Sequence, residues 1–180
     1  GMGAYAPAPV ITPELSAFVQ HKVLDRVMAG MAAEAYPYVG ILYAGLMITE
    51  DGPRVLEFNC RFGDPECQTL MPLLGPELGA VLQACALGCL DLAPTLTISR
   101  RCSACVVAAA EGYPNAPRKG DDIQSTHQTD DSHQLFHAGT QRQPDGRLTT
   151  SGGRVLAVVA QGDDFDAAFA AAYSDMAGIN

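Results

Sequence analysis

Residues 54–62 read Arg-Val-Leu-Glu-Phe-Asn-Cys-Arg-Phe, and no other stretch of the chain says as much about its fold. From Leu56 onward apolar and polar side chains alternate, which predicts a β-strand because successive strand residues point to opposite faces. An Asp51-Gly52 pair, typical of a tight turn, separates this stretch from the almost wholly apolar residues 40–49. We therefore predict an antiparallel hairpin whose strands cover residues 40–49 and 54–62.

The two faces of the second strand differ in chemistry. Neighbours on one strand face are roughly 6.5 Å apart, so a carboxylate and an amide oxygen that lean together can share one hard cation. Mg²⁺ usually takes only one or two oxygen ligands from protein and completes its shell with phosphate and water. A planar guanidinium on the same face can bind a carboxylate or a phosphate through two hydrogen bonds. The polar face carries Glu57, Asn59 and Arg61, whereas Leu56, Phe58, Cys60 and Phe62 form the face that we expect to be buried.

The spacing alone leaves a second interpretation of the polar face open, namely an ordinary solvated strand face.

The composition of the chain indicates which kinds of partner it can bind. The 180 residues include 20 acidic and 11 basic side chains, for a net charge of −9, and 48% are hydrophobic. This hydrophobic content excludes disorder of the whole chain. The acidic balance argues against nucleic acid or an anionic membrane as a partner, and the apolar runs are shorter than the ~20 residues of a membrane helix.

The six cysteines offer an alternative metal site. Cys85, Cys89, Cys102 and Cys105 have a spacing not far from that of a zinc ribbon. The first two fall in a helical run, where cysteine acts as a small apolar residue. The last two are an odd number of positions apart on a predicted strand, which sends them to opposite faces. We therefore expect six reduced thiols, and we keep a non-catalytic cysteine-zinc module as an alternative.

The remaining segments predict an α+β fold with antiparallel strands and peripheral helices. Thr12-Pro13-Glu14 supplies a capping hydroxyl, a proline at the first helical position and an acid in the first turn, which predicts a helix of roughly 20 residues. Residues 91–99 lose periodicity and predict a domain boundary. Other predicted elements are helices from Glu66, over 76–89 and from Asp163 or Asp164, and strands over 102–110, 133–140 and 153–160.

Five short motifs, in one order along the chain, carry a resemblance to a known family. They are Gly-Met-Gly-Ala-Tyr-Ala-Pro-Ala-Pro at 1–9, Gly-Ile-Leu-Tyr-Ala-Gly-Leu-Met at 40–47, Glu-Phe-Asn-Cys-Arg-Phe-Gly-Asp-Pro-Glu at 57–66, Phe-His-Ala-Gly-Thr at 136–140 and Gly-Gly-Arg-Val-Leu at 152–156. The set resembles glycinamide ribonucleotide synthetase, a phosphoribosylamine–glycine ligase of the ATP-grasp superfamily. The resemblance implies the C-terminal part of an ATP-grasp domain over 1–97. A small antiparallel β-rich C-terminal domain with a packing helix, truncated at its end, would follow over 98–180.

The resemblance also implies an activity and a site. The family joins glycine to 5-phosphoribosylamine with ATP, through a glycyl phosphate, in de novo purine synthesis in the cytoplasm. Glu57 and Asn59 match the family's ligands for Mg²⁺ or Mn²⁺, and Arg61 matches a catalytic arginine near the transferring phosphoryl group. The residues implied on the substrate side of the cleft are Gly3, Ala4, Tyr5 and Asp64.

The chain departs from the family by what it lacks. The resemblance implies an N-terminal part of the same polypeptide, whose lysines and Gly-rich loop cover the nucleotide, whereas Lys22 and Lys119 are the two lysines here. We therefore expect a fragment that is inactive alone. Another purine-pathway ATP-grasp ligase remains an alternative, although the Gly-Met-Gly-Ala-Tyr motif and the Gly-Asp-Pro-Glu turn favour glycinamide ribonucleotide synthetase.

The weaker signals lie in the second half of the chain. We expect backbone to satisfy His137, although a substrate-facing role stays open, and we expect no chemistry from His21, His127 and His133. Residues 152–154, Gly-Gly-Arg, are equally compatible with a phosphate contact, since glycine lets backbone N–H groups approach an anion, and with a plain tight turn.

Overall fold

The computed structural model describes residues 1–126 and 128–180, which form two compact units. Unit 1 comprises Gly1–Pro7, Asp64–Gly75 and Ile98–Asn180, and unit 2 comprises Ala8–Gly63 and Pro76–Thr97. The chain last passes from unit 2 to unit 1 between residues 97 and 98, where the sequence predicts a boundary; the domain limits themselves stay a prediction. The expectation for His127 lies outside the described residues.

The described residues form strands, α-helices and a few other helical segments. The strands are β1 (Gly3–Ala6), β2 (Tyr43–Thr49), β3 (Gly52–Asn59), β4 (Cys102–Ala109), β5 (His133–His137), β6 (Thr140–Arg142), β7 (Leu148–Thr150) and β8 (Arg154–Gly162). The α-helices are α1 (Pro13–Val19), α2 (Asp25–Ala33), α3 (Glu66–Leu70), α4 (Leu78–Ala86) and α5 (Phe165–Ala177). A π-helical segment, Gln20–Leu24, joins α1 to α2, and 3₁₀ segments lie at Met71–Leu73 and Leu90–Leu92.

Unit 1 is built on an antiparallel sheet with the strand order β1-β4-β8-β5. One of its two inner strands, β8, has six consecutive buried residues, 155–160, as expected of a strand covered on both faces. One face packs against α5, where the buried residues are Ala104, Val158, Ala160, Ala168 and Ala172. The other face carries Cys105, Ala157 and Val159. Helix α3 packs against β1 and β4.

Helix α5 begins where the sequence predicts it. The side chain of Asp164 accepts a hydrogen bond from the backbone N–H of Ala167 at 2.8 Å, and so caps the helix. Helix and sheet approach closely here, because a Cβ at Gly162 would lie 2.5 Å from the backbone nitrogen of Ala168. The small side chains that α5 buries, Ala168 and Ala172, match this close approach.

Unit 2 contains the predicted helix and the predicted hairpin. The hydroxyl of Thr12 accepts a hydrogen bond from the backbone N–H of Leu15 at 3.2 Å, which confirms the predicted helix start. Helical structure continues from residue 13 to residue 33 through the π-helical segment. Strands β2 and β3 pair antiparallel, with a register shift between Gly45 and Leu46. None of the helices in the described part of the chain is both long and apolar enough to cross a membrane.

Two predictions for the hairpin were wrong. The second strand ends at Asn59 rather than at Phe62, because its pairing with β2 ends at the pair Tyr43–Asn59. The face expected to be buried is largely exposed, at 63% for Leu56 and 42% for Phe58, and Cys60 is exposed as well. In the described residues β2 and β3 pair only with each other, and no helix packs extensively against them, so their apolar side chains stay exposed.

The region predicted as one strand over 133–140 is two strands, β5 and β6. They are separated at Gly139, where a Cβ would lie 2.7 Å from the Cα of Gly152 and 2.6 Å from the carbonyl oxygen of Arg154. The chain can pass this crowded point only as glycine. The short strands β1, β6 and β7 were not predicted, and a turn that contains Asp145 and Gly146 joins β6 to β7.

The burial of β8 gives the first testable prediction. Leu156 is 1% exposed, so Leu156→Ala should lower the free energy of unfolding by about 2–5 kcal/mol, through lost apolar contacts and a residual cavity. The matched control is Leu92→Ala, at a leucine that is 79% exposed, which should change this free energy by no more than about 0.5 kcal/mol. Urea unfolding followed by circular dichroism measures both, and equal effects would contradict the burial.

Candidate metal and substrate site

The side chains of Glu57 and Asn59 meet on one face of β3. Nδ2 of Asn59 donates a hydrogen bond to Oε1 of Glu57 at 3.0 Å. Glu57 is exposed and Asn59 is half-buried, so both side chains are accessible from the same side of the hairpin. The structure therefore places together the two side chains that the sequence predicts as a ligand pair.

The distance within this pair fits a hard cation. Turning the Asn59 amide by 180° would place its Oδ1 where Nδ2 lies, 3.0 Å from Oε1 of Glu57. Two adjacent ligands of octahedral Mg²⁺, each at about 2.1 Å, are about 3.0 Å apart. A carboxylate and an amide oxygen are also the donors that Mg²⁺ and Mn²⁺ prefer. The pair can thus hold two neighbouring positions of one such ion and leave the others to phosphate and water.

Gly45 is a residue of this site that sequence analysis missed. It pairs with Glu57 across the hairpin, and a Cβ at Gly45 would lie 3.0 Å from the Cγ of Glu57. The missing side chain leaves room for the carboxylate, and the register shift after Gly45 bends β2 at the same point. A glycine inside a predicted strand, placed opposite a predicted ligand, is the signal that indicates such a role.

Arg61 lies beyond the end of β3. Its Nη1 donates a hydrogen bond to the carbonyl oxygen of Phe62 at 2.8 Å, and the side chain is exposed. Because Arg61 is not a strand residue, strand alternation does not fix it on the face of Glu57 and Asn59. The bond to Phe62 uses one of the five N–H groups of the guanidinium.

In unit 1, Arg154 holds the predicted substrate residue Asp64. Nη2 of Arg154 donates to Oδ2 of Asp64 at 2.5 Å, and Nη1 donates to the carbonyl oxygens of Gly1 at 3.0 Å and Asp64 at 3.1 Å. Nε2 of Gln68 donates to Oδ1 of Asp64 at 3.2 Å. The side chain of Asp64 remains 55% exposed. Sequence analysis left Arg154 undecided and did not identify Gln68.

The predicted substrate residues Gly3, Ala4 and Tyr5 belong to strand β1, which pairs with β4 from Gly3–Val106 to Ala6–Ser103. Their backbone is therefore fixed by the sheet. The ring of Tyr5 packs edge-on against Phe165, with ring centroids 5.3 Å apart. Tyr5 is half-exposed, and a substrate role for β1 stays a prediction.

A small pocket in unit 1 brings together several polar side chains. Asp64, Gln68, His137 and Arg154 line it, with apolar walls from the sheet. Nδ1 of His137 lies 3.2 Å from the hydroxyl of Thr140, so the partner seen here is a side chain rather than the backbone that we favoured. Oε1 of Gln68 is buried without a hydrogen-bond partner among the described residues.

The zinc interpretation receives no support from residues 1–126 and 128–180. In that part of the chain no three His, Cys, Asp or Glu side chains lie close enough together to hold a metal ion. Cys102 packs on the α5 side of β4, whereas Cys105 packs on the opposite side, as their odd separation predicts. All six cysteines are free thiols.

Cys105 lies in the same part of unit 1 as Asp64. Burial raises the pKa of its thiol to about 11, and a hydrogen bond with Thr69 works against this rise. The charges of Asp64 and Glu66 raise the pKa further, and the charge of Arg154 lowers it. Burial, followed by the charge of Asp64, also raises the pKa of Cys67.

Comparisons with protein families agree on both halves of the chain. The phosphoribosylglycinamide synthetase ATP-grasp (A) domain matches residues 1–67, and the phosphoribosylglycinamide synthetase C domain matches residues 103–180. These matches favour this family over another purine-pathway ATP-grasp ligase.

Similar proteins are longer than this chain. A phosphoribosylamine–glycine ligase of Phenylobacterium zucineum is 47% identical over 175 residues, which are 97% of this chain and 41% of that protein. A bifunctional purine biosynthetic protein of Schizosaccharomyces pombe is 49% identical over 173 residues, which are 96% of this chain and 22% of that protein. The crystal structure of phosphoribosylamine–glycine ligase from Thermotoga maritima has a TM-score of 0.85 at 31% identity, over all of this chain and 44% of that one. The chain thus spans about two fifths of its bacterial relatives.

The raised pKa of Cys105 predicts how stability depends on pH. The pKa is about 11 in the folded chain against an ordinary value of 9.0, so the folded state keeps a proton that the unfolded chain loses. This contribution to stability is fully present below pH 9 and is lost as the pH rises to about 11. Cys105→Ala should therefore flatten the fall of the unfolding midpoint over this range.

The control is Cys60→Ala, at an exposed cysteine, which should leave the alkaline fall as in the wild type. Urea midpoints between pH 8 and pH 10.5 measure all three proteins. An unchanged alkaline fall in Cys105→Ala would contradict the assignment of this effect to Cys105.

Proposed function

The chain belongs to the phosphoribosylglycinamide synthetase family, and on that premise we propose that the whole protein joins glycine to 5-phosphoribosylamine with ATP. The products would be glycinamide ribonucleotide, ADP and phosphate, in de novo purine synthesis in the cytoplasm. The observation that carries the proposal is the Glu57–Asn59 pair, because it provides two oxygen ligands at the spacing of a hard cation within the part matched by the ATP-grasp (A) domain.

The proposed reaction has two steps, phosphorylation of glycine and transfer of the glycyl group to the amine. A carboxylate oxygen of glycine attacks the γ-phosphorus of ATP, which forms glycyl phosphate and releases ADP. The amine nitrogen of 5-phosphoribosylamine then attacks the carbonyl carbon, a C–N bond forms, the C–O bond to phosphate breaks, and the nitrogen loses a proton. Charge stays mainly on phosphoryl oxygens, so positioning and electrostatic stabilisation are what the protein must supply.

The residues of this chain would divide that work. Glu57 and Asn59 would hold Mg²⁺ or Mn²⁺, which when bound neutralises charge on the phosphates of ATP. Arg61, exposed beyond β3, would be the catalytic arginine that binds the transferring phosphoryl group and the glycine carboxylate. The residues proposed to bind glycine and phosphoribosylamine are Gly3, Ala4, Tyr5 and Asp64.

The exposed hairpin supports a role for the N-terminal part of the same polypeptide. Two-stranded sheets are marginal on their own in water, and apolar side chains such as Leu56 and Phe58 are exposed here. We propose that the rest of the ATP-grasp domain covers this hairpin and provides most contacts to ATP. Neither nucleic acid nor a membrane is among the proposed partners.

The metal proposal predicts the effect of Glu57→Gln in the full-length protein. The amide keeps the shape of the side chain but loses the charge, so the Mg²⁺ concentration needed for half-maximal rate should rise and turnover should fall. Stability should change by no more than about 0.5 kcal/mol, because Glu57 is exposed. Glycinamide ribonucleotide formation, measured across a Mg²⁺ titration, provides the result.

The matched control for Glu57→Gln is Glu50→Gln, at an exposed glutamate in the turn before β3, which should behave like the wild type. A solvated strand face would instead give normal activity and normal Mg²⁺ dependence in Glu57→Gln.

Arg61→Lys keeps the charge but loses the planar fork of the guanidinium, so it should lower turnover and leave Mg²⁺ dependence unchanged. A wild-type protein that makes no glycinamide ribonucleotide would contradict the proposed function as a whole.

The 180-residue chain alone should make no glycinamide ribonucleotide. Correct placement of two reactants is worth roughly 7–11 kcal/mol in favourable cases, and the proposal assigns most nucleotide contacts to the N-terminal part. The assay is mass-spectrometric detection of product with ATP, glycine, phosphoribosylamine and Mg²⁺, with full-length protein as the positive control. Product from the folded chain alone would show that the nucleotide site is contained in these residues.

A further inference from the structure

The backbone of Arg154 is held in place by its neighbours in the sheet. It is the first residue of β8, an inner strand of the unit 1 sheet, and pairs with Ala109 of β4. On its other side its carbonyl oxygen accepts a hydrogen bond from the N–H of Gly139 at 2.9 Å. The backbone of Arg154 is thus held from both sides. A side chain on such a fixed backbone can position another group more accurately than a side chain on a free loop.

The guanidinium of Arg154 joins segments that are far apart in sequence. It binds the carbonyl oxygen of Gly1, 153 residues away, and both the carbonyl and the carboxylate of Asp64, 90 residues away. Three acceptors in different directions match the planar fork of arginine, whereas the compact ammonium of lysine does not reproduce this geometry. Arg154 therefore fixes the backbone at the start of the unit 1 segment Asp64–Gly75, in addition to binding the carboxylate of Asp64.

The carboxylate of Asp64 is oriented by two donors. Arg154 binds Oδ2 and Gln68 binds Oδ1, at 2.5 Å and 3.2 Å. Each carboxylate oxygen accepts more than one hydrogen bond, and more than half of the Asp64 side chain is exposed. An oriented, accessible carboxylate is suited to accept hydrogen bonds from N–H or O–H groups of a ligand.

We infer that Arg154, assisted by Gln68, is a positioning residue that orients the Asp64 carboxylate toward N–H or O–H groups of a substrate. This inference rests on the proposed function, in which those groups are the amine and ribose hydroxyls of phosphoribosylamine or the ammonium of glycine. Arg154 acts through Asp64 and does not itself touch the reacting atoms. A purely structural fastening of the Gly1 and Asp64 segments is the competing explanation.

The test is a set of variants of the full-length protein. In Arg154→Lys the KM for phosphoribosylamine or for glycine should rise roughly 10- to 100-fold, by analogy with the loss of a hydrogen-bond partner that orients a metal ligand. The KM for ATP should stay within about twofold, because the inference places no ATP contact on Asp64. A structural fastening predicts instead lower stability and lower turnover without a selective change in one KM.

The matched control is Arg147→Lys. Arg147 is an exposed arginine of the same unit that also binds carboxylates, Asp145 at 2.8 Å and Asp122 at 2.6 Å. It should show wild-type kinetics. Gln68→Met removes the donor to Oδ1 and leaves Arg154 in place, so it should raise the same KM as Arg154→Lys, and it decides the matter if Arg154→Lys does not fold.

A double-mutant cycle tests whether Arg154 acts through Asp64. If it does, Arg154→Lys should add nothing to the KM change of Asp64→Asn. Additive effects, or an Arg154→Lys variant with the kinetics of Arg147→Lys, would overturn the inference while leaving the proposed function intact. A wild type without ligase activity would overturn the proposed function, and the substrate role of Asp64 with it.

Discussion

Strand β8 is buried on both faces, and the elements of unit 1 are arranged by what each face requires. On one side the small side chains of α5 let the helix lie close to the sheet, and on the other side α3 covers the sheet next to β1 and β4. The pairing of β8 with β4 extends to the first residue of β8, so the position of that residue is fixed as well. That residue is Arg154, so the constraint that forms the core also determines where the Gly1 and Asp64 segments are held.

The two groups of candidate residues differ in how far apart their members lie in the sequence. Glu57 and Asn59 are two positions apart on one strand, and their proximity follows from strand geometry alone. Asp64 and Arg154 are 90 residues apart, and their proximity depends on the whole sheet of unit 1. Changes in the unit 1 core should therefore disturb the second group, whereas the first group needs only the hairpin β2–β3.

This difference explains how much the sequence could predict. The hairpin, the cap at Thr12, the start of α5 and the Glu57–Asn59 pair all depend on neighbours within a few residues, and each was predicted. Strand β1 pairs with β4, about 100 residues along the chain, so no local pattern indicated it. Strands β6 and β7 pair with each other but have only three residues each, too few to show an alternating pattern. The burial expected for Leu56 and Phe58 was wrong because alternation shows which residues share a face but not what covers it. The sequence also left the role of Arg154 open, because its hydrogen-bond acceptors, at Gly1 and Asp64, lie in two distant segments.

The central proposal, that the whole protein activates glycine as an acyl phosphate, can be tested with glycine labelled by oxygen-18 in both carboxylate oxygens. Full-length protein, ATP, phosphoribosylamine and Mg²⁺ would be supplied, and the phosphate product examined by phosphorus NMR. Each phosphate should carry one labelled oxygen, because the attacking carboxylate oxygen leaves with the phosphoryl group, and one labelled oxygen should be retained in the amide. Phosphate without the label, at a rate equal to product formation, would contradict the claim.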